Sequence, residues 1–374
     1  MSRFLFFFFL IYGGIHATLW ARFRPLLPAT RGWSLLLALF FLAMILAPVA
    51  SRLIERGHGP EWAAAVLAWT GYCWMGLAGL AFGNALLSWL IQGLAWLSGW
   101  LGVWRPPAGL GRGLAWLALV MAVLTAGYGV LEARGLQVER LSLTTAKLPP
   151  QRPRLVIAQV SDVHLGLING QRNLGRIVAL LAAAKPDLIV STGDMVDGNL
   201  FLEDGLAAQW AGLRPPLGKF AIMGNHEVFA GLEQSTAFLE RAGFTVLRNQ
   251  AATLPGLINI LGIDDPAVPA PPPDEAGLLG SLTPGLFTLV LKHRPTVQDD
   301  CLGHFDLQLS GHTHRGQVYP FNYVTGAIYP MQEGLYRLAG GSDLYTSRGT
   351  GTWGPPMRIA APPEVTIIEL VRQN

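Results

Sequence analysis

Five short segments in the second half of the chain carry cation-binding side chains. They read Ser161-Asp162-Val163-His164, Gly193-Asp194-Met195-Val196-Asp197-Gly198, Gly224-Asn225-His226-Glu227, Lys292-His293-Arg294-Pro295 and Gly311-His312-Thr313-His314. The chain has eight histidines, and five of them fall here. Two divalent ions need roughly seven or eight oxygen and nitrogen donors at one point, and two adjacent ions are a common machinery for hydrolysing phosphate esters. A set of imidazole, carboxylate and amide ligands suits manganese, iron or zinc. It contains no thiolate, which argues against a structural zinc site.

The elements that must position these groups are apolar stretches reading as strands: Arg154–Val160, Asp187–Ser191, Lys219–Met223 and Asp306–Leu309. Residues two apart in extended chain point the same way. Asp162 and His164 are therefore expected to face one ion, and His312 and His314 to repeat that arrangement. Asp194 has two carboxylate oxygens and can bridge two ions, while Asn225 offers a neutral amide oxygen. Burying so many ionisable groups without a metal would be costly.

From about Arg152 to the end, the chain resembles the calcineurin-like metallophosphoesterases. The order D-x-H, G-D, G-N-H-[DE], H and G-H-x-H is met in full. The likeness is closer to membrane-linked bacterial phosphoesterases, through Ser161-Asp162-Val163-His164-Leu165-Gly166 and Leu309-Ser310-Gly311-His312-Thr313-His314. The resemblance implies an α/β domain of two packed mixed sheets with helices outside, an αββα sandwich with its site in loops at the strands' C-terminal ends. It implies that Asp162, His164 and His314 hold one divalent ion, that Asn225, His293 and His312 hold a second, and that Asp194 bridges them. His226 stays off the metals and faces the leaving group, oriented by Asp197. The implied reaction is attack on phosphorus by a hydroxide bridging the ions, with His226 as general acid.

One position departs from the pattern. Phosphoprotein phosphatases carry a phosphate-gripping arginine after the second aspartate of G-D-x-x-D, where this chain has Gly198. That weakens the case for phosphoprotein substrates and leaves phosphodiesters or lipid phosphates. Arg315 either replaces part of the lost charge or is a surface loop residue. Glu227 is read as a structural carboxylate. His16, His58 and His304, outside the motifs, are read as ordinary polar or core residues.

The first 135 residues have another character. The whole chain is 51% hydrophobic and 14% charged. Ten of its twelve tryptophans lie between Trp20 and Trp116, and no aspartate precedes Asp162. This is membrane composition. Phe4–Leu19, Trp33–Ala50 and Gly113–Leu131 read as single spans. The uncharged run Trp62–Trp104 is one long helix or two, since a crossing needs about 20 residues. The expectation is a multi-pass anchor of four transmembrane helices, with five as the alternative. No clear cleavage site follows the first span, which is read as retained rather than as a signal peptide. Asn84 and Gln92 are read as helix–helix hydrogen-bonding groups, and Gly79/Gly83 as a site of close packing in the bundle.

The boundaries expected are 1–135 for the transmembrane region, 136–151 for a linker (or first strand) and 152–374 for the phosphoesterase domain. With four crossings, six basic residues lie on the side of the catalytic domain and five on the other, so the positive-inside rule leaves its side open. Cys73 and Cys301 lie in different regions and are not expected to pair. A net charge of +3 makes no case for nucleic acid. The leading expectation is a cell-membrane, metal-dependent phosphohydrolase whose partners are the bilayer and a phosphoester substrate, best a lipid-linked diester. A non-catalytic scaffold would lack ligands, and none is missing. A transport or sensing bundle would carry charges within its spans.

Overall fold

The structure, a computed structural model, describes residues 2–57, 59–198 and 203–373. His58 lies outside the described residues. The chain forms two compact units, Met1–Leu131 with Gly354–Met357, and Glu132–Trp353 with Arg358–Asn374.

The first unit is built on α1 (Ser2–Phe23), α2 (Arg31–Arg56), α3 (Glu61–Trp100) and α4 (Leu110–Arg134). All four are long and apolar enough to cross a membrane. Most of the uncharged run lies in α3, one helix of 40 residues with no proline to break it. At 1.5 Å per residue it is about 60 Å long, roughly twice the hydrocarbon thickness of a bilayer. Its buried positions are small: Ala64, Ala68, Gly71, Ala78, Ala81, Ala85 and Ser88. Their three- and four-residue spacing makes one stripe, while Leu86, Leu90, Leu94 and Trp96 point outward. Small residues inside and large apolar residues outside is the pattern lipid favours over water. Several polar groups find partners between or within the helices. His16 shares a hydrogen with the Tyr12 carbonyl at 2.7 Å through Nδ1, and Trp74 Nε1 donates to its Nε2 at 2.8 Å. Gln92 accepts from Arg22 at 2.9 Å between helices, whereas Asn84 donates within its own helix to Leu80. The Gly79/Gly83 pair does not serve packing as expected: a Cβ added at either glycine meets nothing within 4 Å.

The second unit follows in the order β1 (Gln137–Thr145), β2 (Arg154–Val160), α5 (Gln171–Ala184), β3 (Leu188–Ser191), α6 (Glu203–Ala211), β4 (Lys219–Ala221), α7 (Asn225–Ala230), α8 (Leu232–Arg241), β5 (Thr245–Val246), β6 (Gln250–Leu254), β7 (Ile258–Ile263), α9 (Glu275–Gly280), β8 (Phe287–Lys292), β9 (Leu307–Ser310), α10 (Phe321–Ile328), β10 (Gly334–Arg337), β11 (Asp343–Thr346) and β12 (Glu364–Arg372). One sheet has the order β1-β12-β2-β3-β4-β5, the other β10-β11-β9-β8-β7-β6. Within each, a parallel block supplies the site: β2-β3-β4-β5 in the first, β11-β9-β8-β7 in the second. Ile157, Leu188, Val190, Ile260, Leu289 and Leu309 fill the layer between the sheets. Val156, Ala158, Ile189, Leu174, Ile177, Trp210 and Phe238 join the outer face of the first sheet to α5, α6 and α8. Buried on both faces, β2, β3, β7, β8 and β9 read as near-continuous apolar runs. The result is an αββα sandwich.

The stretch 136–151 is not simply a linker. Nine of its residues form β1, which pairs in parallel with β12 from Gln137↔Glu364 to Thr145↔Arg372. It carries half-buried Glu139 beside exposed Arg140, the mixed charge of an edge strand, while Leu143 and Leu148 are buried in the inter-sheet core. A fragment starting at Gly135 is therefore expected to be more stable than one starting at Gln151. Losing two buried leucines, at about 1.5–3 kcal/mol each, is the minimum difference. Chemical denaturation of both fragments checks this; equal midpoints and slopes would make β1 dispensable.

Candidate active site

Each motif lies just beyond the C-terminal end of a parallel strand, after β2, β3 and β4 of one sheet and β8 and β9 of the other. The backbone there is not extended. Asp162, His164, Asp194, His312 and His314 have φ of 53°, 51°, 53°, 71° and 49°. L-residues adopt this left-handed region at a cost of about 1–3 kcal/mol each, and only when the surroundings impose it. Neighbouring loops impose it here. Asp162 N–H donates to Gly193 at 3.0 Å, His164 N–H to Asp194 at 3.0 Å, and Gly351 N–H to Asp162 at 2.9 Å.

This geometry corrects the i, i+2 expectation for the last motif. His314 Nε2 lies 3.0 Å from His164 Nε2, whereas His312 Nδ1 lies 3.1 Å from His293 Nε2. The two histidines serve different clusters, because the turned backbone between them aims their side chains apart.

Glu227 joins two of the loops. Its buried carboxylate accepts the N–H groups of Asp194 (2.9 Å), Met195 (2.6 Å), Val196 (3.2 Å) and Gly224 (2.8 Å). Burial and Asp194 raise its pKa, and the Gly224 and Asp194 N–H groups oppose that. Two of the motif glycines have a steric reason as well. A Cβ on Gly224 would run into Asp194, and one on Gly311 into Ser161 Oγ and Asp162. The loops approach too closely for a side chain at either place.

The donors fall into two groups. Asp162, His164 and His314 form one, and Asp194, His293 and His312 another; His226 also comes near His164 and Asp194. Two nitrogens bound at right angles, each about 2.1 Å from one ion, stand about 3 Å apart, and the two histidine pairs meet that spacing. The chemistry of the second group is more telling. His293 Nδ1 faces the Thr192 carbonyl at 2.8 Å and must donate to it, so that in the neutral ring Nε2 is the acceptor. Around that Nε2 stand Asn225 Oδ1 and Asp194 Oδ2, each at 3.2 Å. Acceptors crowded against acceptors call for a cation. The same negative surroundings would draw a proton onto that nitrogen where no ion is bound. Burial alone would lower His293, yet Asp194 and Asp162 push it up to about 10. Burial would raise Asp162, but His314, His293 and His164 hold it well below the carboxylate range. The residues present fit a two-ion centre.

His226 lies beside this cluster. Its Nδ1 is 2.6 Å from Asp197 Oδ1. Burial lowers its pKa, but the Asp197 hydrogen bond and the charges of Asp194, Asp197 and Glu227 win and raise it. Arg315 directly follows His314, and its Nε is 2.8 Å from Glu333.

Two positions had no motif to reveal them. Arg358 is fully buried, stands 3.0 Å from His314 Nδ1 and donates to the carbonyls of Arg348 and Ala361. Tyr329 Oη is 3.3 Å from His312 Nε2, on the ring edge opposite the cluster. Of the lone histidines, His16 is the satisfied bundle residue described above and His304 is exposed.

A two-sheet α/β domain carrying a dimetal ligand cluster defines a metal-dependent phosphohydrolase. Residues 155–316 match the model of the calcineurin-like phosphoesterases. The chain is 38% identical to an uncharacterized metallophosphoesterase of Aquifex aeolicus over 67% of this chain and 98% of that protein. It is 33% identical to another of Bacillus subtilis, over 69% of this chain and 95% of the relative. It is 32% identical to a zebrafish (Danio rerio) protein named as a transmembrane protein with a metallophosphoesterase domain; the match covers 68% of this chain but only 62% of that protein. The chain belongs to the metallophosphoesterase family.

Glu227→Gln puts an amide NH₂ where four N–H donors converge. It should destabilise the second unit by about 2–3 kcal/mol, the scale of a charged hydrogen bond lost in a buried site, and loosen metal retention. Denaturation and metal content after dialysis check both. Wild-type values in both would remove Glu227 as the tie between the loops.

Proposed function

We propose that the protein is a membrane-anchored phosphodiesterase acting on phosphoesters at the bilayer, with lipid-linked diesters as the preferred class. The observation carrying this reading is the combination in one chain of four membrane-length helices with a dimetal ligand cluster that includes an acid-paired histidine. The helices would cross the cell membrane as a multi-pass anchor. The position held by Gly198, which offers no cationic grip for a phosphoprotein monoester, favours diesters.

Asp162, His164 and His314 would hold one divalent ion and Asn225, His293 and His312 the other, with Asp194 between them. Manganese, iron and zinc all suit this donor set. Bound there, such ions supply positive charge that stabilises an attacking hydroxide and the phosphoryl oxygens. The chain's own groups do the rest. Asp197 takes the His226 Nδ1 proton in a hydrogen bond, which fixes the ring and keeps the imidazole protonated. His226 Nε2 is then the proton donor to the leaving oxygen. Arg315 would contact a phosphoryl oxygen by exchanging Glu333 for it. A scaffold role has less support, since every donor the family pattern calls for is present.

His226→Ala should keep its metals and lose roughly 10²–10⁴-fold in turnover on alkyl esters, the range of general acid catalysis. Asp197→Asn should lose less. Both losses should shrink on nitrophenyl esters, whose leaving group needs no proton. Equal losses on the two ester classes would remove His226 as the acid.

Substrate class is a separate test. The kcat/KM for an aryl phosphodiester should equal or exceed that for the matching monoester, and Arg315→Ala should raise KM more than it lowers kcat. A strong monoester preference would contradict the diester reading.

A further inference from the structure

Two aromatic side chains flank His226. The ring centroid of Phe229 is 5.5 Å away and that of Trp353 is 5.8 Å away, both edge-on. Neither is core: Phe229 is 61% exposed and Trp353 is 54% exposed. The Trp353 backbone is fixed in place by a reciprocal pair of bonds, its main-chain N–H donating to Gln317 Oε1 at 2.9 Å and its carbonyl accepting from Gln317 Nε2 at 2.8 Å. Gln317 leads into α10, a helix with no buried residue. On it Phe321, Tyr323, Val324 and Ile328 are each more than half exposed. The chain from Gly316 to Gln332 carries no charge at all. An exposed helix would ordinarily carry charged and polar residues on its solvent face.

Charge is therefore divided sharply at this edge of the domain. The donor cluster demands cations and would receive an anionic phosphoryl group, while the rim beside it is apolar and uncharged. We propose that Phe229, Trp353 and α10 form a lip that binds the apolar portion of an amphiphilic phosphoester, its acyl or alkyl chain. The proposal rests on the phosphoesterase reading for the head group and adds the chemistry of the tail. The aromatic rings give broad, rigid apolar faces at small entropic cost. Their contact with His226 puts that apolar surface at the proposed leaving-group side.

The test uses full-length, metal-loaded protein in phosphatidylcholine nanodiscs and a series of n-alkylphosphonates of increasing length, each below its micelle concentration. Affinity is measured by calorimetry with empty nanodiscs subtracted, so no turnover is required. Each methylene that reaches the lip should tighten binding about fourfold. Trp353→Ser and the exposed pair Phe321→Ser with Val324→Ser should each flatten that slope, reducing the ratio of longest to shortest affinity at least about tenfold. A flat series in the wild type, or variants that retain its slope, would overturn the lip. Variants that retain the slope but lose binding to vesicles would assign the face to the bilayer surface and likewise overturn the proposal. Hydrolysis of a soluble aryl phosphodiester is scored separately. Its presence with a flat phosphonate series removes the lip alone, and its absence with a steep series removes the proposed reaction while leaving the lip.

Discussion

Buried negative charge is the constraint on which the catalytic unit turns. Asp162, Asp194 and Glu227 are all removed from water within a few residues of strand ends. Isolated carboxylates cannot stay ionised in such a place, because the desolvation cost is too large. Two different answers are found. Glu227 is surrounded by backbone N–H donors, so the polypeptide itself neutralises it. Asp162 and Asp194 are met by imidazoles whose remaining lone pairs point inward, an arrangement that divalent cations complete. The charge of the site and its metal chemistry are thus one fact.

The fold supplies what this arrangement needs. Two parallel blocks, one from each sheet, end at the same edge, so donors separated widely in sequence converge within hydrogen-bonding range. Five of the proposed ligand residues sit in left-handed backbone, an unfavourable local conformation held by hydrogen bonds that run from loop to loop. The rigid sheets beneath carry that strain, with Ile157, Leu188, Val190 and Leu309 locked in the layer between them. Strain of this kind, gathered at one point, is the mark of a site rather than of the scaffold. The helical unit obeys a different logic, with alanines inside and leucines and tryptophans outside, on four helices long and apolar enough to cross a membrane.

Much of this was legible in the residues. β2 could be bounded because its apolar run is framed by Arg154 and Ser161, and the five motifs carried the donor set. Other features left no signal in the sequence. The turned backbone at His312 and His314 depends on the Asp162 carboxylate accepting the His312 N–H and on turn hydrogen bonds from Thr313 N–H to Gly311 and from Gln317 N–H to His314, so spacing alone suggested an extended pair. Linker and first strand could not be told apart for β1, because it is an edge strand with mixed charge and its partner β12 lies at the far end of the chain. Arg358 is a lone arginine among prolines and alanines, and its burial against His314 is a tertiary fact. The exposure of α10 was equally hidden, since an uncharged aromatic stretch in a sequence reads as core.

Two groups of donors should hold two ions. Elemental analysis of the full-length protein, expressed with manganese supplied and desalted without chelator, should give two ions per chain. Asn225→Ala, which touches only the second group, should bring that toward one. One ion or fewer in the active wild-type protein would contradict the two-group reading, as would Asn225→Ala retaining two.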